Sequence, residues 1–380
     1  MLARAQAGIA RLMLTSFRSY VALTIEVEPT PVVLLGENGA GKTNLIEALS
    51  LLGPGRGLRG AGLSEFSHRR PEQAAGAASW AIAARVETGE GRTEIGTGVS
   101  AEAPERRVAR SDGTTVALSA LADFLRIVWL TPAMDRLFVE GPSGRRRFLD
   151  RLTLALEPTH AAASTAFERA MRERNRLLRD GPHDPAWLSG LEAEMAHHGL
   201  KLAEARTRMV GALETVLAEP GPFPQPLIQI EGTLESALIA GESNADITAF
   251  YREKLAQDRP RDEQAGRTLT GPHTSDLHVR HAGNGRVAAE CSTGEQKALL
   301  IALVLAQAKL VAAEAPGACT LLLLDEISAH LDARRRAALF DVLSSLRIQA
   351  WLTGTEPEPF ASFGARAQTF RIAQNRLEPL

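Results

Sequence analysis

The sequence predicts an α/β protein in which a sheet surrounds a phosphate-binding helix and a helical arm is inserted into the chain. An apolar run at residues 32–35 leads through a glycine-rich loop into a helical pattern. A second apolar run, at residues 321–324, ends in two carboxylates, as buried strands of parallel sheets often do. Between these stretches, residues 159–217 repeat apolar side chains at helical spacing, which predicts the arm.

Alternating runs predict strands in the N-terminal third. We expect strands at residues 9–17, 21–27 and 32–35, a helix to about residue 52, antiparallel strands between 80 and 118, and a buried strand at 127–130. Thr131-Pro132 ends the last of these strands, because the residue before a proline is restricted to extended backbone.

Helical spacing begins near Gly144 and dominates the middle of the chain. We expect long helices at 159–178 and 185–217, separated by Gly181-Pro182, then a strand at 227–230, a helix at 245–255 and a loop at 258–268. The C-terminal pattern predicts a hairpin of 277–281 with 286–290 around Gly283-Asn284-Gly285, a buried helix at 298–308, a strand at 321–324, a helix at 333–346 and strands at 349–353 and 367–372.

Composition narrows the class of protein. The chain has 380 residues, 44% of them hydrophobic and 23% charged, which suits a soluble protein of two domains or of one domain with a large insertion. No apolar run in the sequence approaches the roughly 20 residues that span a bilayer. The first eleven residues lack the apolar centre of a signal peptide, and Cys291 and Cys319 form no disulfide framework. We therefore expect a cytoplasmic protein without a membrane partner.

The glycine-rich loop has the sequence Gly36-Glu37-Asn38-Gly39-Ala40-Gly41-Lys42-Thr43. Glycines allow successive backbone N–H groups to face an anion, and the following helix presents its positive end to the same anion. A lysine at position 42 reaches the outer phosphates of a nucleotide, and a hydroxyl at Thr43 is a ligand for Mg²⁺. The loop therefore predicts binding of a nucleoside triphosphate.

The carboxylates Asp325 and Glu326 end the apolar run at 321–324. A buried parallel strand brings such groups to the sheet edge beside the phosphate loop. There Asp325 is expected to hold Mg²⁺, and Glu326 to orient or deprotonate the attacking water. A purely structural role for the pair is the alternative.

Ser292-Thr293-Gly294-Glu295-Gln296 precedes the buried helix and has the pattern of a capping box, with Ser292 as N-cap and Glu295 three residues later. A helix that starts in this way also offers backbone donors to a phosphate. Two such sites in one chain are useful if the second site of one copy completes the first site of another.

Arginines concentrate in two places. Residues 143–180 contain nine arginines against five Asp and Glu, which suits either a polyanion-binding surface or a solvated helix face with paired charges. The loop at 53–60 is rich in glycine and contains Arg56 and Arg59, so it is either a linker or a loop whose arginines face phosphate.

These stretches, in their order, resemble the motifs of an ABC-type ATPase head. Residues 36–43 resemble its Walker A motif, 292–296 its signature, 321–326 its Walker B motif and 328–332, Ser-Ala-His-Leu-Asp, its D-loop. The resemblance implies a mixed sheet around the P-loop helix, with ATP and Mg²⁺ as cofactors and with nucleotide contacts from Asp332 and Thr353. It divides the chain into a head of residues 1–137 and 268–380 and an inserted helical subdomain of residues 138–267.

Further stretches resemble the RecF family in particular. They are Leu14-Thr15-Ser16-Phe17-Arg18-Ser19-Tyr20, the loop at 53–59, Pro142-Ser143-Gly144-Arg145-Arg146-Arg147-Phe148-Leu149-Asp150 and Gly271-Pro272-His273-Thr274-Ser275-Asp276-Leu277. The chain departs from the family at Thr274-Ser275, where Arg-Asp is usual. No clear Q-loop glutamine lies between the Walker A motif and the arm, where Thr131-Pro132 occupies the expected place. Thr353 or Thr355 stands where a transporter has its switch histidine.

The resemblance implies a repair protein that binds duplex DNA at gaps, forms a homodimer around two ATP molecules and hydrolyses ATP slowly to dissociate. RecR and RecO are the implied protein partners, and promotion of RecA loading is the implied outcome. Lys42, Asp325 and Glu326 would be catalytic. Arg145, Arg146, Arg147, Arg56 and Arg59 are the candidate DNA contacts, although the first three are equally suited to pin the arm to the head by ion pairs.

The sequence is less consistent with three other functions. A transporter ATP-binding subunit would need the missing glutamine and histidine. An SMC-like head in chromosome organisation, or one associated with a nuclease, would carry a longer coiled coil than residues 160–217 allow. A DNA-binding scaffold without ATPase activity is opposed by the presence of Lys42, Asp325 and Glu326.

Overall fold

The structure is a computed structural model that describes residues 7–68, 79–181, 184–327, 331–346 and 348–380. The chain divides into two compact units. The first contains residues 1–135, 221–223 and 300–380, and the second contains residues 136–220 and 224–299.

Two six-stranded sheets form the first unit. Antiparallel strands make up one sheet in the order β2-β1-β4-β5-β6-β7, with bounds β1 Gly8–Phe17, β2 Tyr20–Glu26, β4 Trp80–Thr88, β5 Gly91–Val99, β6 Val108–Ser111 and β7 Thr114–Val116. The other sheet has the order β14-β13-β3-β12-β11-β8, with bounds β3 Val32–Leu35, β8 Leu125–Leu130, β11 Cys319–Leu324, β12 Gln349–Gly354, β13 Gln368–Ala373 and β14 Arg376–Pro379. Only the β13–β14 pair in this second sheet is antiparallel.

Helix α1, Lys42–Ser50, follows β3 and the glycine-rich loop. One apolar core contains its side chains Leu45, Ile46 and Leu49 together with residues of both sheets, such as Leu14 and Leu323. Strands β11 and β12 are buried along their whole length, as strands with both faces covered are, and Leu321 and Leu323 face this core. The α/β class with a mixed sheet around the P-loop helix is thereby confirmed.

The second unit is mainly helical. Its helices are α2 Pro142–Leu156, α3 His160–Asp180, α4 Pro185–Leu217, α5 Thr233–Ile239, α6 Asn244–Gln257 and α7 Arg259–Ala265, and its strands are β9 Pro226–Glu231 and β10 Asp276–His281. A second apolar core joins α3, α4 and α6 through side chains such as Phe167, Met195 and Tyr251. Since β9 and β10 pair in antiparallel register, residues 268–299 lie in this unit, although the boundary predicted from the sequence falls at 267.

Two helices complete the fold. Helix α8, Thr293–Glu314, has its first seven residues in the second unit and the rest in the first, and α9, Ala333–Ser345, lies in the first. Helix α8 is long and apolar enough to span a bilayer, but 78% of its most apolar window is buried within the protein. A buried core helix has this property, as the sequence predicted for residues 298–308.

Two local predictions were wrong. Residues 259–265 form helix α7 where a loop was expected, because Asp262 on this polar segment faces a buried arginine in the interior. Residues 286–290 do not form a strand. The turn at Gly283–Gly285 forms as predicted, with Gly285 at φ +69°, but only Val287 bridges back to Arg280 before a short 3-10 turn at Ala288–Glu290. Strand β14 was not predicted.

Candidate nucleotide-binding site

The glycine-rich loop connects β3 to α1 in the first unit. Gly39 and Gly41 have φ values of +84° and +109°, which side-chain-bearing residues rarely adopt. A Cβ atom at Gly36 would lie 2.5 Å from the carbonyl oxygen of Ile372, so a larger residue has no room there. The backbone therefore explains why this loop needs glycine at these three positions.

Lys42 is buried, and its Nζ donates hydrogen bonds to the loop carbonyls of Gly36 at 2.6 Å and Glu37 at 2.9 Å. Burial lowers the pKa of Lys42, and the nearby carboxylates of Glu326 and Asp325 partly offset this effect. The ammonium group thus faces neutral oxygens of its own loop. A phosphate is a stronger partner for the same group.

Strands β11 and β12 bring three oxygen-bearing side chains to the C-terminal edge of the sheet. Asp325 Oδ1 lies 3.4 Å from the Thr43 hydroxyl and accepts a 2.8 Å hydrogen bond from the Thr353 hydroxyl. Burial raises the pKa of Asp325, although the hydrogen bond from Thr353 opposes the shift. Glu326, the next residue, has φ +51° and donates its backbone N–H to Thr353 Oγ1 at 2.8 Å.

This set of donors fits Mg²⁺. The Thr43 hydroxyl and the Asp325 carboxylate are the hard oxygen ligands that Mg²⁺ prefers, and Mg²⁺ at nucleotide sites takes few protein ligands. Among the described residues, no group of three or more His, Cys, Asp or Glu side chains forms a metal cluster. Thr43 and Asp325 are therefore the residues that would hold the ion beside a bound triphosphate.

The turn between β1 and β2 braces one face of α1. Tyr20 Oη donates to the Gly41 carbonyl at 3.1 Å, and Ser19 Oγ accepts a 2.9 Å hydrogen bond from Asn44 Nδ2. Arg18 forms a bidentate ion pair with Glu47, which is fully buried. The three contacted helix positions are spaced by three residues, so they share a face. The RecF-like stretch at 14–20 marked this turn, but its contacts with α1 were not predicted because the partners lie 21 to 29 residues apart in the chain.

Arg107 anchors the other end of the helix. Its guanidinium donates to the carbonyls of Leu51, Gly53 and Gly55 and to the Thr97 hydroxyl. Burial lowers the pKa of Arg107 to about 10. A cation at the C-terminal end of a helix opposes the negative end of the helix dipole. The start of the glycine- and arginine-rich loop is thereby attached to the C-terminal end of α1.

The predicted signature lies at the start of α8 and forms the expected capping box. Glu295 Oε2 accepts from the Ser292 N–H at 2.9 Å and from its hydroxyl at 2.8 Å, while the Glu295 N–H donates to Ser292 Oγ at 3.3 Å. These bonds from Ser292 lower the pKa of Glu295. Gln296 donates to the Cys291 carbonyl at 2.9 Å, whereas Ser292 and Thr293 are exposed. The helix start is thus ordered and open to solvent.

Comparison with known proteins agrees with this geometry. The family described as RecF/RecN/SMC N terminal domain matches residues 8–375. The chain is 47% identical over 388 residues to the DNA replication and repair protein RecF of Caulobacter sp. (strain K31), and 47% identical over 375 residues to that of Rhizobium etli (strain ATCC 51251). The alignments cover 99% of both chains in the first case, and 97% and 98% in the second. The chain belongs to the RecF family.

Solved structures share the fold. A structure of the recombination mediator protein RecF-ATPrS in the RecFOR pathway superimposes with a TM-score of 0.84 at 19% identity and covers 100% of both chains. An Smc head domain with an extended coiled coil, bound to the C-terminal domain of ScpA from Pyrococcus furiosus, gives a TM-score of 0.52 at 16% identity, with 98% of this chain and 96% of that one covered. An ABC-type ATPase head of the RecF and SMC kind is thus the fold of this chain.

The RecF-like arginine stretch is largely engaged within the second unit. Arg145 pairs with Asp276 at 2.7 Å, and Arg146 donates to the Ser275 carbonyl at 2.7 Å. These contacts fasten α2 to residues of the Gly-Pro-His stretch, and both partners of the Arg145 ion pair lie within the second unit. Arg147 is exposed on the same helix. Among the three arginines of this stretch, Arg147 alone is both exposed and without a described ion pair.

The RecF-like departure at Thr274-Ser275 is accommodated by local hydrogen bonds. The Ser275 hydroxyl donates to Glu235 at 2.7 Å, and the Thr274 hydroxyl donates to the Gly271 carbonyl at 2.7 Å. Glu235 is fully buried and also lies 3.5 Å from Arg206. A neutral serine at 275 therefore avoids placing a second carboxylate beside Glu235.

The other predicted arginines and Asp332 lie at the surface. Arg56 and Arg59 are exposed on the RecF-like glycine loop, and Arg59 lies 3.6 Å from Glu47. Asp332 is exposed and caps α9 by accepting from the Arg335 N–H at 2.8 Å. Residues 328–330 of the predicted D-loop lie outside the described residues.

Proposed function

We propose that this protein is an ATP-dependent DNA-binding protein of DNA replication and recombinational repair. Its ATP site consists of the loop at 36–43 with Asp325 and Glu326. The observation that carries the proposal is the convergence of Thr43 and Asp325, 282 positions apart in the chain, within 3.4 Å at the end of a buried strand. Full-length identity near 47% to proteins named DNA replication and repair protein RecF supports the biological role.

The residues divide the chemistry between them. Backbone N–H groups of the loop and Lys42 would bind the phosphates, while Thr43 and Asp325 would hold Mg²⁺, which stabilises charge on the transferred phosphoryl group. Glu326 would orient or deprotonate the attacking water. Hydrolysis is proposed to be slow and to trigger release from DNA.

The exposed start of α8 supports a homodimer with two shared sites. In this arrangement, residues 292–296 of one copy cover the nucleotide bound by residues 36–43 of the other, with Asp332 near the same interface. Ser292 and Thr293 are exposed in their own chain, as residues that contact a second copy must be. Nucleotide binding would then close the dimer on duplex DNA near gaps, and RecR and RecO would act with it to promote RecA loading in the cytoplasm.

Gel filtration with ATP, with and without duplex DNA at two salt concentrations, tests this proposal. We expect the Glu326→Gln protein to form dimers that persist with ATP, because binding remains while turnover stops.

Ser292→Arg should bind ATP as a monomer and fail to dimerise, since the added side chain obstructs the interface. Ser292→Thr keeps the hydroxyl and the cap and serves as the matched control. Normal dimers of Ser292→Arg would refute the shared site, and normal hydrolysis by Glu326→Gln would remove Glu326 from catalysis.

A further inference from the structure

Thr353 lies near the end of β12 and is fully buried. Its hydroxyl takes part in two hydrogen bonds of 2.8 Å, one with Asp325 Oδ1 and one with the backbone N–H of Glu326. The sequence suggested that this residue contacts the nucleotide. In the structure its hydroxyl bonds to the two adjacent acidic residues, through the side chain of one and the backbone of the other.

The direction of these bonds is determined by chemistry. The Glu326 N–H is only a donor, so the Thr353 oxygen accepts from it. The hydroxyl proton is then directed to the Asp325 carboxylate, which is an acceptor when ionised. One hydroxyl thus connects the side chain of residue 325 to the backbone of residue 326.

The backbone at Glu326 needs such support. Its φ of +51° is unusual for a residue with a side chain, and such conformations persist only where surrounding contacts hold them. The conformation occurs at the residue that follows Asp325 directly. The neighbouring Gly354 carbonyl accepts from the Gly36 N–H at 3.3 Å, so the end of β12 contacts the phosphate loop as well.

We propose that Thr353 is a positioning residue for ATP hydrolysis, whose hydroxyl holds the Asp325 carboxylate and the turned backbone of Glu326 in their working arrangement. The inference rests on the proposed ATPase function. Thr353 acts through these two residues and makes no contact with the nucleotide itself. Thr355, two residues later, is exposed and remains available for a direct contact.

Substitution of Thr353 by valine and by serine tests the inference. Valine keeps the shape and removes the hydroxyl, whereas serine keeps the hydroxyl and removes the methyl group. We expect Thr353→Val to lower kcat for ATP by about 100-fold, as small displacements of catalytic groups do. The KM for ATP and the ATP-dependent dimer should remain, because the phosphate loop is unchanged, and Thr353→Ser should retain turnover.

Amide hydrogen exchange without nucleotide supplies a second readout. The Glu326 amide should exchange faster in Thr353→Val than in the wild-type protein, and Thr353→Ser should retain its protection. Wild-type kcat in the valine variant, or equal loss in both variants, would overturn the inference. Unchanged exchange at Glu326 would overturn it independently of ATP turnover. Absence of ATP hydrolysis by the wild-type protein would instead defeat the proposed function and the inference together.

Discussion

Lys42 in the first unit and Arg174 in the second are both buried cations, but their partners differ. Lys42 donates to two neutral carbonyl groups. Arg174 is completely buried and pairs with the carboxylates of Glu192 at 3.1 Å and Asp262 at 2.7 Å. The hydroxyl of Thr268 and the carbonyl of Leu255 accept its remaining hydrogen bonds.

The difference is the one expected between a ligand-binding site and a structural network. A buried charge that has opposite charges and hydrogen-bond partners around it holds those side chains in one arrangement. Removing such a charge is costly, because its partners are then left buried and unpaired. Burial among neutral groups lowers the pKa of a lysine, as it does for Lys42. The ammonium form of such a lysine is stabilised when an anionic ligand binds beside it. Removing Lys42 should therefore affect ligand binding, and removing Arg174 should affect stability.

The largest expected effect is that of Lys42→Ala. Loss of the only ammonium group on the phosphate loop should reduce ATP turnover by a factor of at least about 100 and abolish ATP-dependent dimers. A fluorescent ATP analogue and gel filtration measure the two effects. The exposed Lys201 on α4 offers a control, since Lys201→Ala should bind ATP normally. Unchanged ATP affinity in Lys42→Ala would contradict the site assignment.

Arg174→Met should have the largest effect on stability. It leaves the buried Asp262 without the cation that it pairs with, whereas Glu192 keeps its ion pair with Arg259. Removal of one partner of a buried ion pair destabilises a protein by about 3–5 kcal/mol. Chemical denaturation monitored in the helical unit measures the change. Arg172→Met is the matched control, because Arg172 is 66% exposed on the same helix and its loss should cost less than about 0.5 kcal/mol. Equal unfolding curves for Arg174→Met and wild type would show that the network adds nothing.

The smallest effect concerns two neighbouring arginines of α2. Arg147→Ala should weaken binding to duplex DNA several-fold at every sequence and reduce the slope of log affinity against log salt by about 1. Arg145→Ala should lower stability more than DNA affinity, because Arg145 is paired with Asp276. Fluorescence anisotropy with a salt series separates the two. If both variants bind DNA as the wild type does, α2 is not part of the DNA surface.

The sequence predicted the elements of the head well because their signals are local. Strand β3 and residues 321–324 of β11 are continuous apolar runs, and the loop at 36–43 has the residue types and spacing of a phosphate site. The capping box at Ser292 and Glu295 was predicted for the same reason, since its two members are three residues apart. Patterns that stay within one turn or one strand need no knowledge of tertiary contacts.

Helix α7 shows where this approach fails. Its residues are mostly polar, so no apolar stripe marked it as a helix. Its inward-facing Asp262 is buried because Arg174, 88 positions earlier in the chain, neutralises it. A buried ion pair between distant segments leaves no periodic pattern in either of them.

By itself, the sequence determined the class of fold, and it predicted a phosphate-binding role for the loop at 36–43 and a catalytic role for the acidic pair at 325 and 326. These features depend on residue type and short spacing. Only the tertiary structure decided that Tyr20 and Arg18 contact one face of α1 and that Arg107 binds its C-terminal end. It also decided that the Thr353 hydroxyl forms hydrogen bonds with Asp325 and Glu326. The reason is physical, because hydrogen bonds between residues far apart in the chain depend on how strands and helices pack.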